Sequence, residues 1–117
     1  ALDPDSWVRK TAVETLGVRW AGDPAILSSL REIATTDPDG WVRASATDAV
    51  AIGWPEDPAT LPLLREIATT DPSGWVRASA TAAVAIGWPE DPATLPLLQD
   101  RAVADPDVMV RKAAERS

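Results

Sequence analysis

The chain has 117 residues, of which 45% are hydrophobic, and a formal net charge of −7 at pH 7. Cysteine and histidine are both absent, which excludes disulfides, thiolate metal sites and the commonest general base and transition-metal ligand of proteins. The acidic balance argues against a nucleic-acid partner, because such surfaces need clustered lysine and arginine.

The chain is built on an internal repeat of 34 residues. The pattern Asp-Pro-x-x-Trp-Val-Arg begins at Asp3, Asp37 and Asp71, and a copy with methionine in place of tryptophan begins at Asp105. A fixed period of this length is typical of solenoids, in which each unit packs on its neighbours. We expect one array with units 3–36, 37–70 and 71–104 and a closing half-unit, 105–117.

Two Asp-Pro pairs in each unit predict two helix starts. Aspartate is a good N-cap and proline suits the first helical position, so Asp37-Pro38 and Asp57-Pro58 should each open a helix. Gly53-Trp54-Pro55 should end the first helix and turn the chain. The predicted helices are 4–18, 24–35, 38–52, 58–69, 72–86, 92–103 and 106–116.

Apolar residues recur at helical spacing on both helices of a unit. In the second unit they are Val42, Ala46, Ala49 and Val50 on the first helix, and Leu61, Leu64, Ile67 and Ala68 on the second. Neither helix can bury its stripe alone, so the helices should pack in antiparallel pairs and the pairs should stack. The predicted fold is an all-α α-solenoid of about three and a half repeats and seven helices. Pro62 and Pro96, early in the second helices, predict a late start or a slight kink.

The second and third units agree at 27 of 34 positions. Among the differences, Arg101 replaces the core-type residue Ile67. We interpret this exchange as a polar outer face that ends the array, as terminal repeats of solenoids require.

These features resemble HEAT repeats of the short bacterial type. The resemblance lies in the Asp-Pro-x-x-x-Val-Arg-x-x-Ala core, the apolar first helix, the short turn and the leucine-rich second helix, and it covers essentially the whole chain. It implies a structural ladder between adjacent repeats, formed by the aspartate and the arginine six residues later. The ladder residues would be Asp3, Arg9, Asp37, Arg43, Asp71, Arg77, Asp105 and Arg111. The short turn and the tryptophans depart from the usual family pattern.

The six tryptophans form two sets at opposite edges of the predicted array. One set opens the first helices and the other occupies the turns, roughly 20 Å away along the helix. They could anchor a partner protein, since tryptophan is enriched in binding hot spots, or supply bulk to alanine-rich repeats. The residues are Trp7, Trp41, Trp75, Trp20, Trp54 and Trp88.

Small, uncharged residues occupy the face of the first helices opposite the predicted core. Such a face could let another helix approach closely, as in a homodimer, or could reflect only the helix propensity of alanine. The candidate self-association residues are Ala44, Thr47, Ala51, Ala78, Thr81, Ala82 and Ala85.

The second helices carry Arg31, Arg65 and Gln99 on the face predicted to be exposed. By resemblance, second helices line the concave surface of HEAT arrays, so this face is a candidate partner-binding surface. Glu66 beside Arg65 argues against binding an anion there.

No residue pattern indicates catalysis, and we predict no catalytic, cofactor-binding or metal-binding residue. The leading hypothesis is a noncatalytic protein-interaction, scaffold or sensor module, in the cytoplasm and within a larger bacterial signalling protein. Two enzymatic alternatives follow from the resemblance: a HEAT-like alkylpurine DNA glycosylase and a bilin-lyase-type subunit. A repeat fragment, engineered or truncated, without a function of its own is the third alternative. No apolar run approaches the roughly 18 residues of a membrane span, so no membrane partner is expected.

Overall fold

The computed structural model describes residues 5–115, which form seven α-helices joined by short turns and contain no strand. The first helices of the units are α1 (Ser6–Arg19), α3 (Gly40–Gly53), α5 (Gly74–Gly87) and α7 (Val108–Glu115). The second helices are α2 (Pro24–Thr36), α4 (Thr60–Thr70) and α6 (Thr94–Ala104). The predicted all-α class and the number of helices are therefore confirmed.

The helices lie in two layers. Helices α1, α3, α5 and α7 pack side by side in one layer, and each helix of the other layer packs mainly against the first helix of the following unit. The second helices make little direct contact with one another. This arrangement is a solenoid, in which each element meets only its neighbours along the array.

The core runs between the two layers. Val42, Ala46 and Val50 of α3 are fully buried, as is Leu64 of α4. The stripe predicted for α1 is different: Val8 is 44% exposed, and Ala12 and Thr15 are also exposed. The equivalent face of α3 is covered by α1, whereas residues 5–115 contain no helix pair that could cover this face of α1.

The first helices begin two residues later than predicted. Asp37 is not an N-cap but the C-cap of α2, with ψ of 135°, an extended conformation favoured by the proline that follows it. Its Oδ1 instead accepts a hydrogen bond from the Asp39 amide at 2.9 Å. Asp39 is the N-cap of α3 and accepts the Trp41 amide at 2.8 Å. Asp-Pro therefore ends the preceding helix, and the residue two positions later opens the next one.

The second helices start in two ways. Asp23 is the N-cap of α2 with Pro24 in the first helical position, as predicted. Helix α4 begins only at Thr60, and α6 only at Thr94, which is the late start that Pro62 and Pro96 favoured. Pro62 then lies in the first turn of α4, where a missing backbone donor breaks no intrahelical bond. Gly22, with φ of +87°, makes the turn before α2.

The small face of the first helices is an internal interface, not an exposed surface. Ala44 and Thr47 of α3 are 4% and 0% exposed, and Ala78 and Thr81 of α5 are 8% and 0% exposed. The expectation that these four residues face solvent is wrong, because neighbouring first helices pack together here. Ala51, Ala82 and Ala85 are half-buried.

Direct packing of the first helices needs small residues at their contacts. At Gly17 of α1, an added Cβ would lie 2.9 Å from the Cβ of Ala49 in α3. Glycine here lets the two helices approach closely. None of the helices over residues 5–115 has both the length and the apolar character that crossing a bilayer requires.

Candidate binding surface

Arginines and aspartates of successive units are joined by ion pairs at one edge of the first-helix layer. Arg43 Nε lies 3.0 Å from Asp71 Oδ2, and Nη2 lies 3.2 Å from Oδ1, 28 residues along the chain. Arg43 also donates from Nη1 to the Asp37 carbonyl at 2.8 Å. One guanidinium thereby links the start of its own unit to the start of the next.

The same pairing recurs before and after this unit boundary. Arg9 Nε lies 3.0 Å from Asp37 Oδ2, and Arg77 Nε lies 3.0 Å from Asp105 Oδ2. Arg111 donates to the Asp105 carbonyl at 2.8 Å. Asp3 lies outside the described residues. These charges are buried between units, so they hold the array together and leave little of themselves for a ligand.

The last aspartate of this series, Asp105, receives a second arginine. Arg101 Nη1 lies 2.9 Å from Asp105 Oδ2, and only 14% of the Arg101 side chain is exposed. Burial alone would raise the pKa of Asp105, but hydrogen bonds from Arg77, the Asp107 amide and Arg101, with the charge of Arg77, outweigh it and lower that pKa. The interpretation of Arg101 as a polar outer face is wrong, because its guanidinium turns inward.

The six tryptophans differ in exposure. Trp54 is 4% exposed, and its indole Nε1 donates to the Asp23 carbonyl at 3.0 Å. As an anchor for a partner it is therefore excluded, since its ring already packs on the preceding turn. Trp41 and Trp88 are half-buried, whereas Trp7, Trp20 and Trp75 are 57%, 44% and 50% exposed.

Two of the tryptophans at the helix starts form a cluster with a lysine. The ring centroids of Trp7 and Trp41 lie 5.8 Å apart, and Lys10 Nζ lies 5.0 Å from the Trp41 centroid and 5.6 Å from that of Trp7. Lys10 also pairs with Glu14 at 2.8 Å. The second and third units have Ala44 and Ala78 in the place of Lys10, so the cluster joins only the first two units.

The second-helix face does not form a concentrated site. Arg31 and Gln99 are exposed, and Arg65 is half-buried with Nη1 3.7 Å from Asp91 Oδ1. The face is polar and solvated. Its exposed aliphatic residues, Leu95 and Val103, both belong to α6 and do not recur at equivalent positions.

The outer surface of the first-helix layer is different, because exposed aliphatic residues recur there in register. Val18, Ile52 and Ile86 are 81%, 82% and 82% exposed and lie 34 residues apart, near the ends of α1, α3 and α5. We call them the aliphatic row. They face away from the core that the two layers share.

Two apolar grooves separate the residues of the aliphatic row. The groove between α1 and α3 has a volume of about 510 Å³, and the groove between α3 and α5 about 410 Å³. Small residues, among them Gly17, Ala49 and Ala83, line them. Asp48 and Ile52, one helical turn apart on α3, line both grooves and form the ridge between them.

The sequence analysis missed this surface. It had grouped residues by the core stripe and by the face opposite it, and Ile52 belonged to neither. One signal was available: an aliphatic residue precedes Gly53 and Gly87 at the ends of α3 and α5, and Val18 occupies the same position of the first unit. An apolar residue repeated outside the core stripe indicates an exposed row.

Comparison with known proteins adds the family. A family model described as HEAT repeats matches residues 1–85 and 51–117, so the two matches together cover the whole chain. A search of curated proteins found no match, and a search of solved structures found none either.

Proposed function

The chain belongs to the HEAT-repeat family, whose arrays generally act as protein-interaction and scaffold modules, and we propose that it is a noncatalytic module that binds a partner protein through the outer surface of its first-helix layer. This surface consists of the aliphatic row, Val18, Ile52 and Ile86, and the two grooves between its members. The proposal moves the binding surface away from the second helices.

The observation that carries the proposal is the exposure of the aliphatic row. Three aliphatic side chains more than 80% exposed, at equivalent positions of successive units, form a repeated apolar surface. Burying one such side chain is worth roughly 1.5–3 kcal/mol, so a partner that covered all three would gain a substantial part of a stable interaction. Exposed apolar surface that is continuous and not scattered is typical of interaction sites.

The grooves give this apolar surface a shape. Interfaces gain most from side chains that enter pockets and lose their contact with water. The grooves on both sides of Ile52 are open, apolar and lined by small residues, so they can accept side chains from a partner. The second-helix face has no comparable combination of exposed aliphatic residues and grooves.

The setting of this module is a further part of the proposal. The near-identity of the second and third units supports a scaffold or sensor region within a larger bacterial signalling protein, in the cytoplasm. Such a region would present the aliphatic row to another domain or another protein.

A displayed peptide library tests the proposal. The library would be panned on the wild-type protein, and each enriched peptide would then be measured on the variant Val18→Ser/Ile52→Ser/Ile86→Ser. We expect enriched peptides that bind the wild type and lose binding to the triple variant. Because the three side chains are more than 80% exposed, the variant should keep its fold, which circular dichroism and urea unfolding would verify.

The matched control changes exposed aliphatic residues of the other layer. Leu95 and Val103 are 62% and 84% exposed, so Leu95→Ser/Val103→Ser removes similar apolar surface from the second-helix face. Enriched peptides should bind this control as they bind the wild type. Peptides that bind the triple serine variant equally well, or that depend only on Leu95 and Val103, would contradict the proposal.

A further inference from the structure

We infer that the partner presents a cationic amphipathic helix that crosses α1, α3 and α5, with an apolar side chain in each groove and a lysine or arginine over Asp48. The inference rests on the proposed function and names the chemistry of the partner. It follows from the charge of the grooves, from the spacing of the first helices and from the place of Asp48 between the grooves.

The charge of the grooves is entirely acidic. Glu14 and Asp48 are the charged residues among those that line the two grooves, and no lysine or arginine accompanies them in the linings. Glu14 is already paired with Lys10 at 2.8 Å. Asp48 has no ion pair or hydrogen bond from its side chain to any other described residue. A basic group of a partner would find an unused carboxylate there.

The surroundings of Asp48 strengthen this argument. The residue is exposed on its ridge, but the apolar groups beside it displace water from the carboxylate and raise its pKa above the ordinary 3.8. A carboxylate in such a place gains more from a cation than one in open water does. The acidic net charge of the chain, −7, favours the approach of a basic segment from a distance.

The spacing of the first helices matches that of a helix in the partner. Axes of packed helices lie roughly 8–10 Å apart, and the two grooves are separated by one such distance. Seven residues of α-helix rise about 10.5 Å and return to nearly the same face, so residues i and i+7 of a crossing helix reach successive grooves. A residue at i+3 or i+4 then lies over the ridge, where Asp48 is.

An extended strand does not fit the same spacing. Side chains on one face of a strand lie about 6.8 Å or 13.6 Å apart, neither of which matches the grooves. A polyproline helix does place residues i and i+3 about 9.3 Å apart on one side. It is the other conformation that the experiment must separate from an α-helix.

The experiment uses designed peptides of about 18 residues in an alanine- and glutamine-rich background, which is long enough to form helix. The first peptide carries leucine at i and i+7 and lysine at i+3 and i+4. Two matched peptides replace both lysines with glutamine or with glutamate, and a fourth replaces a central residue with proline. Fluorescence anisotropy of the labelled peptides measures binding to the complete chain.

We expect the lysine peptide to bind most tightly, the glutamine peptide about tenfold more weakly, and the glutamate and proline peptides not measurably. Asp48→Asn should weaken the lysine peptide about tenfold and leave the glutamine peptide unchanged. The control Glu66→Gln, an exposed carboxylate on α4, should change neither. Ile52→Ser should weaken both peptides.

Different outcomes separate the inference from the proposed function. If the lysine and glutamine peptides bind equally and both need Ile52, the apolar surface is confirmed as a binding site and the cationic partner is wrong. Equal binding of the proline peptide overturns the helical partner. If sedimentation shows a wild-type dimer that Ile52→Ser dissociates, a second copy is the occupant. If no designed or displayed peptide depends on the aliphatic row, both proposals fail.

Discussion

Arg43 and Asp71 are joined by a two-point ion pair across a unit boundary, with Nε–Oδ2 at 3.0 Å and Nη2–Oδ1 at 3.2 Å. Asp71 is 8% exposed and Arg43 9% exposed, so water solvates neither group well. The Asp71 carboxylate also accepts the Ser73 amide at 2.9 Å and so shapes the turn before α5. One carboxylate therefore fixes both a turn and the position of the preceding unit.

This geometry predicts that the two arginines Arg43 and Arg65 differ in their effect on stability. Arg43→Ala leaves a buried carboxylate without its cation and should cost about 3 kcal/mol of the free energy of unfolding. Arg65 pairs with Asp91 at 3.7 Å, and about a third of each side chain is exposed, so Arg65→Ala should cost under about 1 kcal/mol. Urea unfolding of both variants measures the difference. Equal losses would mean that the buried pairs do not hold the units together.

The inward-turned Arg101 gives a prediction of the opposite sign. Its Nε is buried without a hydrogen-bond partner, and Asp105 keeps Arg77 when Arg101 is removed. The equivalent residue of the preceding unit, Ile67, is 3% exposed and packs in the core. Arg101→Ile should therefore be neutral or raise the free energy of unfolding by about 1 kcal/mol, because apolar groups often replace buried ion pairs without loss.

Urea unfolding of Arg101→Ile beside the wild type tests this prediction. The matched variant Arg101→Ala separates the removal of charge from the filling of space, and it should be less stable than Arg101→Ile. A loss of more than about 1 kcal/mol in Arg101→Ile would instead assign Arg101 a necessary part in holding Asp105.

Asp48 predicts a pH-dependent effect on stability. Its pKa in the folded protein is raised from 3.8, so its ionised form opposes folding above that range and its protonated form does not. Asp48→Asn should raise the melting temperature at pH 7. The difference from the wild type should shrink as the pH falls through the folded pKa and vanish below the unfolded one. Glu14, across the groove between α1 and α3, also titrates in acid and must be present in both proteins.

Melting curves of Asp48→Asn and the wild type between pH 7 and pH 3 give this comparison. The control Glu66→Gln removes an exposed carboxylate from α4, and no such pH-dependent gain is expected from it. An Asp48→Asn variant that melts below the wild type at pH 7 would contradict the desolvation of this carboxylate.

Two glycines at equivalent positions predict unequal tolerance of alanine. A Cβ at Gly74 would collide with the Asp107 carboxylate and lie 2.8 Å from the Asp107 Cβ. Asp107 also accepts the Met109 amide at 2.8 Å, at the start of α7. Gly74→Ala should therefore displace this cap and cost about 1 kcal/mol.

Gly40→Ala is the matched control, because its Cβ would lie 3.5 Å from Ser73. This distance is an ordinary contact, so the higher helix propensity of alanine should make Gly40→Ala neutral or slightly stabilising. Thermal unfolding compares the two. A Gly74→Ala variant as stable as Gly40→Ala would mean that α7 moves aside at no cost.

The amino-acid sequence by itself determined the helices, their 34-residue period and most of the core. Val42, Val50 and Leu64 are buried where helical spacing predicted, because each packs against elements close in the chain, and the period repeats the same local choice. Pro62 likewise fixed the late start of α4, since its ring and its missing donor act within one helical turn. These are consequences of local structure, which a sequence pattern records directly.

Only the tertiary structure decided what lies between units. Asp37 reads as a helix cap in the sequence, but Arg9, 28 residues earlier, binds its carboxylate across a unit boundary. Thr47 reads as exposed, but the adjacent first helix covers it. Ile52 belongs to no core stripe, and its place between two grooves depends on how closely α1, α3 and α5 approach. Periodicity gives the angle of a side chain around its own helix, whereas burial depends on which neighbour lies at that angle.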